Sequence, residues 1–170
     1  LGLYAKWCAN TYTISYNLNG GINNNSNPNS YTIESDEITI LNPTRDGYTF
    51  KGWSSILGTL IIEPKIVKGS YGDLLFTANW EANLNTIIFN GNSNTSGEMS
   101  STQVRSDDSI KLPKNVFAKA GYHFIGWSIS QMGSVKYLDE AIYNAGTESI
   151  INLYAVWKAN QNTITYHGNG

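Results

Sequence analysis

Cysteine is almost missing from these 170 residues: Cys8 stands alone, so no internal disulfide can form and the fold cannot depend on oxidation. That shortage assigns no compartment, since exported proteins also fold without disulfides. Histidine is scarce too. His123 and His167 are too scattered, even with Cys8, to furnish a structural zinc set. Charge is sparse: 11 basic and 13 acidic residues leave a net charge of −2, with no basic run. Electrostatic capture of nucleic acid or anionic lipid needs clustered Lys and Arg, so neither partner is expected. No stretch approaches about 18 uninterrupted apolar residues, so direct membrane insertion by a helix is not expected. Phosphate-cradling glycine loops, paired-carboxylate motifs and nucleophile elbows are absent as well. No catalytic residue, cofactor-binding residue, metal ligand or cofactor is therefore predicted.

What the chain does have is aromatic side chains, asparagine and repetition. Five tryptophans and 11 tyrosines suit small domains, because large rings bury much area for each side chain ordered. Asparagine numbers 21 and gathers in turn-like clusters such as residues 23–29, where its side chain can hydrogen-bond local backbone. Leu3-Tyr4-Ala5-Lys6-Trp7 returns as Phe76-Thr77-Ala78-Asn79-Trp80 and as Leu153-Tyr154-Ala155-Val156-Trp157. Gly47-Tyr48-Thr49-Phe50-Lys51-Gly52-Trp53 returns as Gly121-Tyr122-His123-Phe124-Ile125-Gly126-Trp127. A third phrase, at residues 10–16, is echoed at 83–89 and 160–166. Its threonines Thr13, Thr86 and Thr163 are spaced by 73 and 77 residues. Such a period exceeds that of solenoid repeats and fits small domains in tandem. The expected organisation is the tail of one repeat at 1–9, complete modules at 10–82 and 83–159, and the head of another at 160–170. Any signal peptide or anchoring segment would lie outside this window. The stretches Leu1–Trp7 and Thr163–Gly170 are expected to lack part of their normal packing.

Within one unit, Tyr12, Ile14 and Tyr16 alternate with Thr13, Ser15 and Asn17, which predicts a half-buried strand. Asn19-Gly20-Gly21 ends it, since these residues accept positive φ at little cost. Short strands are predicted around Tyr31–Ile33 and Ile38–Ile40, with a turn from Pro43 to Gly47. The next strand, Tyr48 to Trp53, carries aromatics at both parities and should pack on two sides or twist away. Gly52 and Gly126, each just before a tryptophan, point to a bulge or to close approach of a neighbouring chain. Leu74, Phe76, Ala78 and Trp80 share a face, which predicts a central, well-buried strand. In the second unit, residues 137–143 suit one or two helical turns with Leu138, Ala141 and Ile142 facing inward. The apolar stretch Ile56–Ile62 is expected to be a covered connection or an inter-unit contact.

These phrases resemble the Listeria–Bacteroides repeat, also called the internalin B-type repeat, over essentially the whole chain. The resemblance implies a mostly β (α+β) fold: tandem, β-grasp-like modules with a mixed sheet and at most one short helix each. It also implies an exported or surface-attached bacterial protein in which such modules form stalks. Tyr16 to Gly21 matches the family's strand-to-turn start. Phe89 to Asn94 lacks the paired glycines, which points to a different first turn in the second unit.

The motif residues read as structural: Gly47, Tyr48, Phe50, Gly52, Trp53, Trp80, Gly121, Tyr122, Phe124, Gly126, Trp127, Tyr154 and Trp157. The tryptophans are expected as repeated core anchors rather than ligand platforms. His123 takes the position of Thr49 and is expected to face outward. The acidic clusters Glu34–Glu37 and Asp107-Asp108 read as solvated turns, lacking the ligand spacing of a calcium loop. Asp139-Glu140 is assigned to the first turn of the short helix. The expected function is a non-enzymatic stalk or spacer of a cell-surface or secreted adhesin, with neighbouring repeats as its contacts. Two alternatives stand beside it. One is a recognition module for host or matrix protein or glycan, using edge strands and exposed tyrosines such as Tyr31, Tyr71 or Tyr137. The other is an accessory domain of a large secreted enzyme.

Overall fold

Alternating apolar and polar side chains from Thr11 onward give the first strand, and the same alternation opens the second unit. The structure is a computed structural model that describes residues 2–55 and 59–168. It divides into two compact units, Leu1–Ala82 and Asn83–Gly170. The first contains β1 (Thr11–Asn17), β2 (Ser30–Thr32), β3 (Ile38–Thr39), β4 (Tyr48–Ser54), β5 (Leu60–Ile61), β6 (Lys65–Ile66) and β7 (Leu74–Ala82). The second contains β8 (Leu84–Asn90), β9 (Thr102–Arg105), β10 (Ser109–Lys111), β11 (Tyr122–Ser128), β12 (Ile142–Asn144) and β13 (Ile150–Ala159).

The first unit's main sheet has the order β2-β1-β7-β4-β5. Strands β1 and β7 run parallel at its centre, and the flanking pairs are antiparallel. Parallel neighbours need a long crossover, and β2 through β6 supply it. A two-stranded β3–β6 ribbon lies within that crossover. The second unit repeats the plan: β8 and β13 form the parallel centre, β9 and β11 flank them, and β10 pairs with β12. The bridge of Trp127 to Tyr137 stands where β4 meets β5 in the first unit. Central β7 buries Phe76 and Ala78, with Leu74 and Trp80 half-buried on the same face. Each unit has its own core, built around Ile14, Ile40, Trp53 and Phe76 in one and Ile87, Leu112, Trp127 and Leu153 in the other.

Four expectations need correction. Residues 137–143 form no helix, and the described residues contain none. A turn closed by Ala141 N–H to the Leu138 carbonyl leads instead into β12, whose pairing with β10 supplies hydrogen bonds that an isolated helical turn would lack. Leu138 and Ile142 are accordingly exposed. Glu140 has φ 55° and pairs with Lys111 at 2.7 Å, which holds its carboxyl below the usual range. Of the apolar stretch 56–62, residues 56–58 lie outside the described residues. Leu60 and Ile62 are exposed at 53 % and 70 % because β5 is the sheet's edge, where only Ile61 turns inward. Tyr31, expected as an exposed stacking surface, is 4 % exposed and donates its hydroxyl to the Gly72 carbonyl at 2.6 Å.

The fourth correction concerns the second unit's first turn, which keeps the first unit's shape. Positive φ falls on Asn19 and Gly20 in one unit and on the matching Asn92 and Ser93 in the other. Asn19 Nδ2 donates to the Ala78 carbonyl, and Asn92 Nδ2 to that of Ala155, both at 2.9 Å. The asparagine amide, tied to the central strand, holds the turn without either of the paired glycines.

A β-bulge sets the aromatic geometry. Phe50 lies opposite Trp80 and Gly52 opposite Asn79, so Lys51 is the extra residue. The bulge turns Trp53, opposite Ala78, onto the face that Phe50 already occupies. The same shift falls between Phe124 and Gly126. Gly52 and Gly126 adopt φ 129° and 142°, a region that L side chains rarely enter. An added Cβ would lie 3.1 Å from the Ile61 carbonyl oxygen at Gly52, but 2.6 Å from that of Tyr137 at Gly126. Gly52→Ala and Gly126→Ala should each destabilise their own unit by about 1–3 kcal/mol, with Gly126→Ala the worse. Urea midpoints of the two variants check this, and equal losses would contradict the contact argument.

Candidate functional site

The best-defined constellation in each unit is an aromatic cluster positioned by the bulge. Phe50 meets Trp53 edge-on at 5.4 Å and Trp80 at 5.3 Å, while Tyr16 lies 5.7 Å from Trp53. Phe124 meets Trp127 at 4.9 Å and Trp157 at 5.7 Å, with Phe89 at 5.2 Å from Trp127. Tilted and edge-to-face pairs at these separations favour the ring quadrupoles beyond the area they bury. Trp53 and Trp127 are both 0 % exposed. Neither indole N–H has an oxygen acceptor among the described residues, so both rings are held by packing alone.

Trp80 and Trp157 are half-buried and serve a second purpose. Their Nε1–H groups donate at 2.9 Å to the carbonyls of Leu18 and Gly91, tying the last strand to the turn that ends the first. An added Cβ on Gly21 would lie 2.5 Å from the Trp80 ring. Gly47 and Gly121, at φ 74° and 77°, complete the turns that feed β4 and β11.

Not every motif residue joins the cluster. Tyr48 lies under the Arg45 guanidinium, 3.5 Å from its ring centre, and Tyr122 lies near Lys119 at 4.9 Å. Tyr154 is half-buried on the face of β13 opposite to buried Leu153 and Ala155. His123 is exposed, with Nδ1 2.8 Å from Asn160 Oδ1. Glu37 and Asp36 pair with Lys65 and Lys68. Glu37 holds the Lys65 ammonium above its usual range, but ion pairs this exposed stabilise little. Among the described residues no group of three His, Cys, Asp or Glu could hold a metal ion. Sequence reasoning placed Asn19 in a turn but missed the amide bonds that tie Asn19 and Asn92 to the central strands. Their recurrence three residues after Tyr16 and Phe89 was the available signal.

A closed, dry cluster of this kind can hold a fold together but offers no surface to a ligand. Trp127→Ala should cost about 3–5 kcal/mol and unfold the second unit, whereas Trp157→Phe, which keeps a ring but loses one hydrogen bond, should cost about 1–2 kcal/mol. Tryptophan fluorescence during urea unfolding separates the two. Burial pushes the Tyr16 phenol from 10.0 up to about 12, and its hydroxyl donates to the Pro28 carbonyl at 2.8 Å. The unfolded chain ionises first, so the contribution of Tyr16 is intact below about pH 10 and is lost as pH rises towards 12. Tyr31 and Tyr143 are raised by burial as well and act with the same sign. Urea midpoints from pH 9 to 11 should fall less steeply in Tyr16→Phe.

Comparison with known proteins agrees with this geometry. The model of the Listeria-Bacteroides repeat domain matches residues 12–59 and again residues 86–156. Two proteins of Evansella cellulosilytica, described as "Putative membrane protein" and "Putative Gly-rich membrane protein", are each 30% identical to the chain over 99% of its length. The chain spans only 24% and 18% of those two proteins. No solved structure matches it. Two family matches fall on two units that share one strand plan, bulge and aromatic cluster, and the chain belongs to the Listeria-Bacteroides repeat family as a tandem pair.

Proposed function

We infer that this chain is a non-enzymatic structural segment, a spacer or stalk within a longer bacterial protein. The observation that carries the reading is the double use of one aromatic cluster. In both units the repeated tryptophans and the phenylalanine between them are consumed in closing the core. The strand order, with first and last strands parallel at the centre, supports reading each module as a β-grasp variant whose crossover is irregular chain and ribbon instead of helix. Module boundaries at 10–82 and 83–159 follow from the same repetition, as does the assignment of the motif glycines and tryptophans to structure.

We propose a parent protein at the cell surface or outside the cell. Names of two longer relatives refer to membranes, and tandem modules that each carry their own core suit projection of a distal domain. An adhesin is the parent that best uses such a stalk, with host or matrix protein or glycan bound by other domains.

Calorimetry tests modularity. Trp127→Ala should remove one of two transitions and leave the first unit's melting temperature within about 3 °C, because each unit has its own core. Loss of both transitions would overturn the modular reading. Replacing both modules in the parent by two unrelated domains of similar length should preserve function if spacing is their task, and abolish it if they contribute a specific surface.

A further inference from the structure

The main sheet of the second unit has a notch. Strand β11 pairs with β13 only from Tyr154 to Ala159, while β13 begins four residues earlier at Ile150. Along Ile150–Leu153 the central strand therefore has β8 on one side and, among the described residues, no strand on the other. Which groups face the gap follows from the ladder. In a parallel pair, alternate residues direct both backbone groups to opposite sides. The Ser149 carbonyl accepts from Thr86 N–H on β8, and the Ala155 carbonyl faces the same way, towards Asn92. Residues 151 and 153 share that parity. Ile150 and Asn152 therefore point their N–H and C=O groups away from β8, into the gap.

The gap opens on a groove of about 490 Å³ whose lining includes Ile129, Lys136, Tyr137, Tyr143, Glu148 and Ile150. Tyr137 and Tyr143 pack edge-on at 5.4 Å on one side, and Ile129 and Ile150 are both more than half exposed. Lys136 and Glu148, of opposite sign, form no salt bridge among the described residues. The first unit repeats the arrangement. There β4 reaches only Thr77, leaving Asp73 and Leu75 in the matching positions, and a groove of about 370 Å³ lies alongside them. The inference concerns the second unit, whose groove includes both outward-facing residues, Ile150 and Asn152.

We propose that the notch beside Ile150–Asn152 is a strand-addition site for an extended peptide segment of a partner protein that carries a carboxylate and an ammonium for Lys136 and Glu148. Two N–H groups and two carbonyls, spaced two residues apart along one line, match an extended backbone and no compact ligand. The exposed isoleucines and the tyrosine pair offer apolar contact to alternate side chains. The two unpaired charges set a direction along the groove by complementarity. This site is separate from the buried aromatic cluster, so its failure would leave the spacer reading intact.

The test uses the whole two-unit chain and capped seven-residue peptides that alternate valine with threonine, glutamate at one end and lysine at the other, in both orders. In the free chain the amides of Ile150 and Asn152 should exchange with solvent at least about tenfold faster than those of Ile151 and Leu153. Adding one of the two peptides should slow those two amides and shift their NMR signals. N-methylating the peptide at its outward-bonding residues should weaken binding about tenfold or more. Asn152→Pro removes one outward donor, with the exposed side-chain bond from Asn90 Nδ2 as the other hydrogen bond lost, and should weaken binding similarly, with the methyl-blocked peptide as control if that variant fails to fold. The proposal is overturned if Ile150 and Asn152 are already protected in the free chain. Failure of both peptides to shift either amide at millimolar concentration, or equal binding of the N-methylated forms, overturns it too.

Discussion

Each module is closed by the parallel pairing of its first strand with its last. Ile14 to Asn17 lie beside Leu74 to Thr77, and Thr86 to Asn90 beside Ile150 to Tyr154. A ladder between segments some 60 residues apart in sequence forms only when the intervening chain has found its path, so local structure cannot complete the fold by itself. The crossover loops, the small ribbons and the position of the bulge are all solutions to bringing those two strands together. The tryptophan N–H bonds to Leu18 and Gly91 and the asparagine amide bonds to Ala78 and Ala155 lock the same junction from either side.

Each core centres on aromatic rings because the modules are small. A domain of this size buries a modest share of its surface, so each ordered side chain must cover a large area. Trp53 and Trp127 could not serve as anchors from an ordinary strand, since their parity would turn them away from Phe50 and Phe124. The glycine-supported bulge changes that parity at a single residue, and this explains why glycine and tryptophan travel together in the repeated phrase.

Much of this was legible in the sequence, and the exceptions have physical causes. Alternation located β1, β7 and their counterparts, and the Gly-Trp pairs marked the bulges. Residues 137–143 carry helical spacing, but two hydrogen-bonded partners, β10 and the Leu112 N–H to Ala141 carbonyl bond, draw the segment into extended pairing. Tyr31 reads as a surface residue because its neighbours are polar, whereas its burial depends on a carbonyl 41 residues away. The conserved-shape turn at Asn92 and Ser93 was hidden for the same reason: its stabilising partner lies on a distant strand. The notch in the sheet was invisible because it arises from the unequal lengths of β11 and β13, a property of register rather than of composition.

Parallel first and last strands have a mechanical consequence. When tension is applied through the chain at both ends of a module, the two central strands are drawn in opposite directions along their own length. Their inter-strand bonds then resist as a group in shear, instead of opening one at a time as in a peeled hairpin. A protein that must hold a load between two attachment points gains from that geometry without any added crosslink.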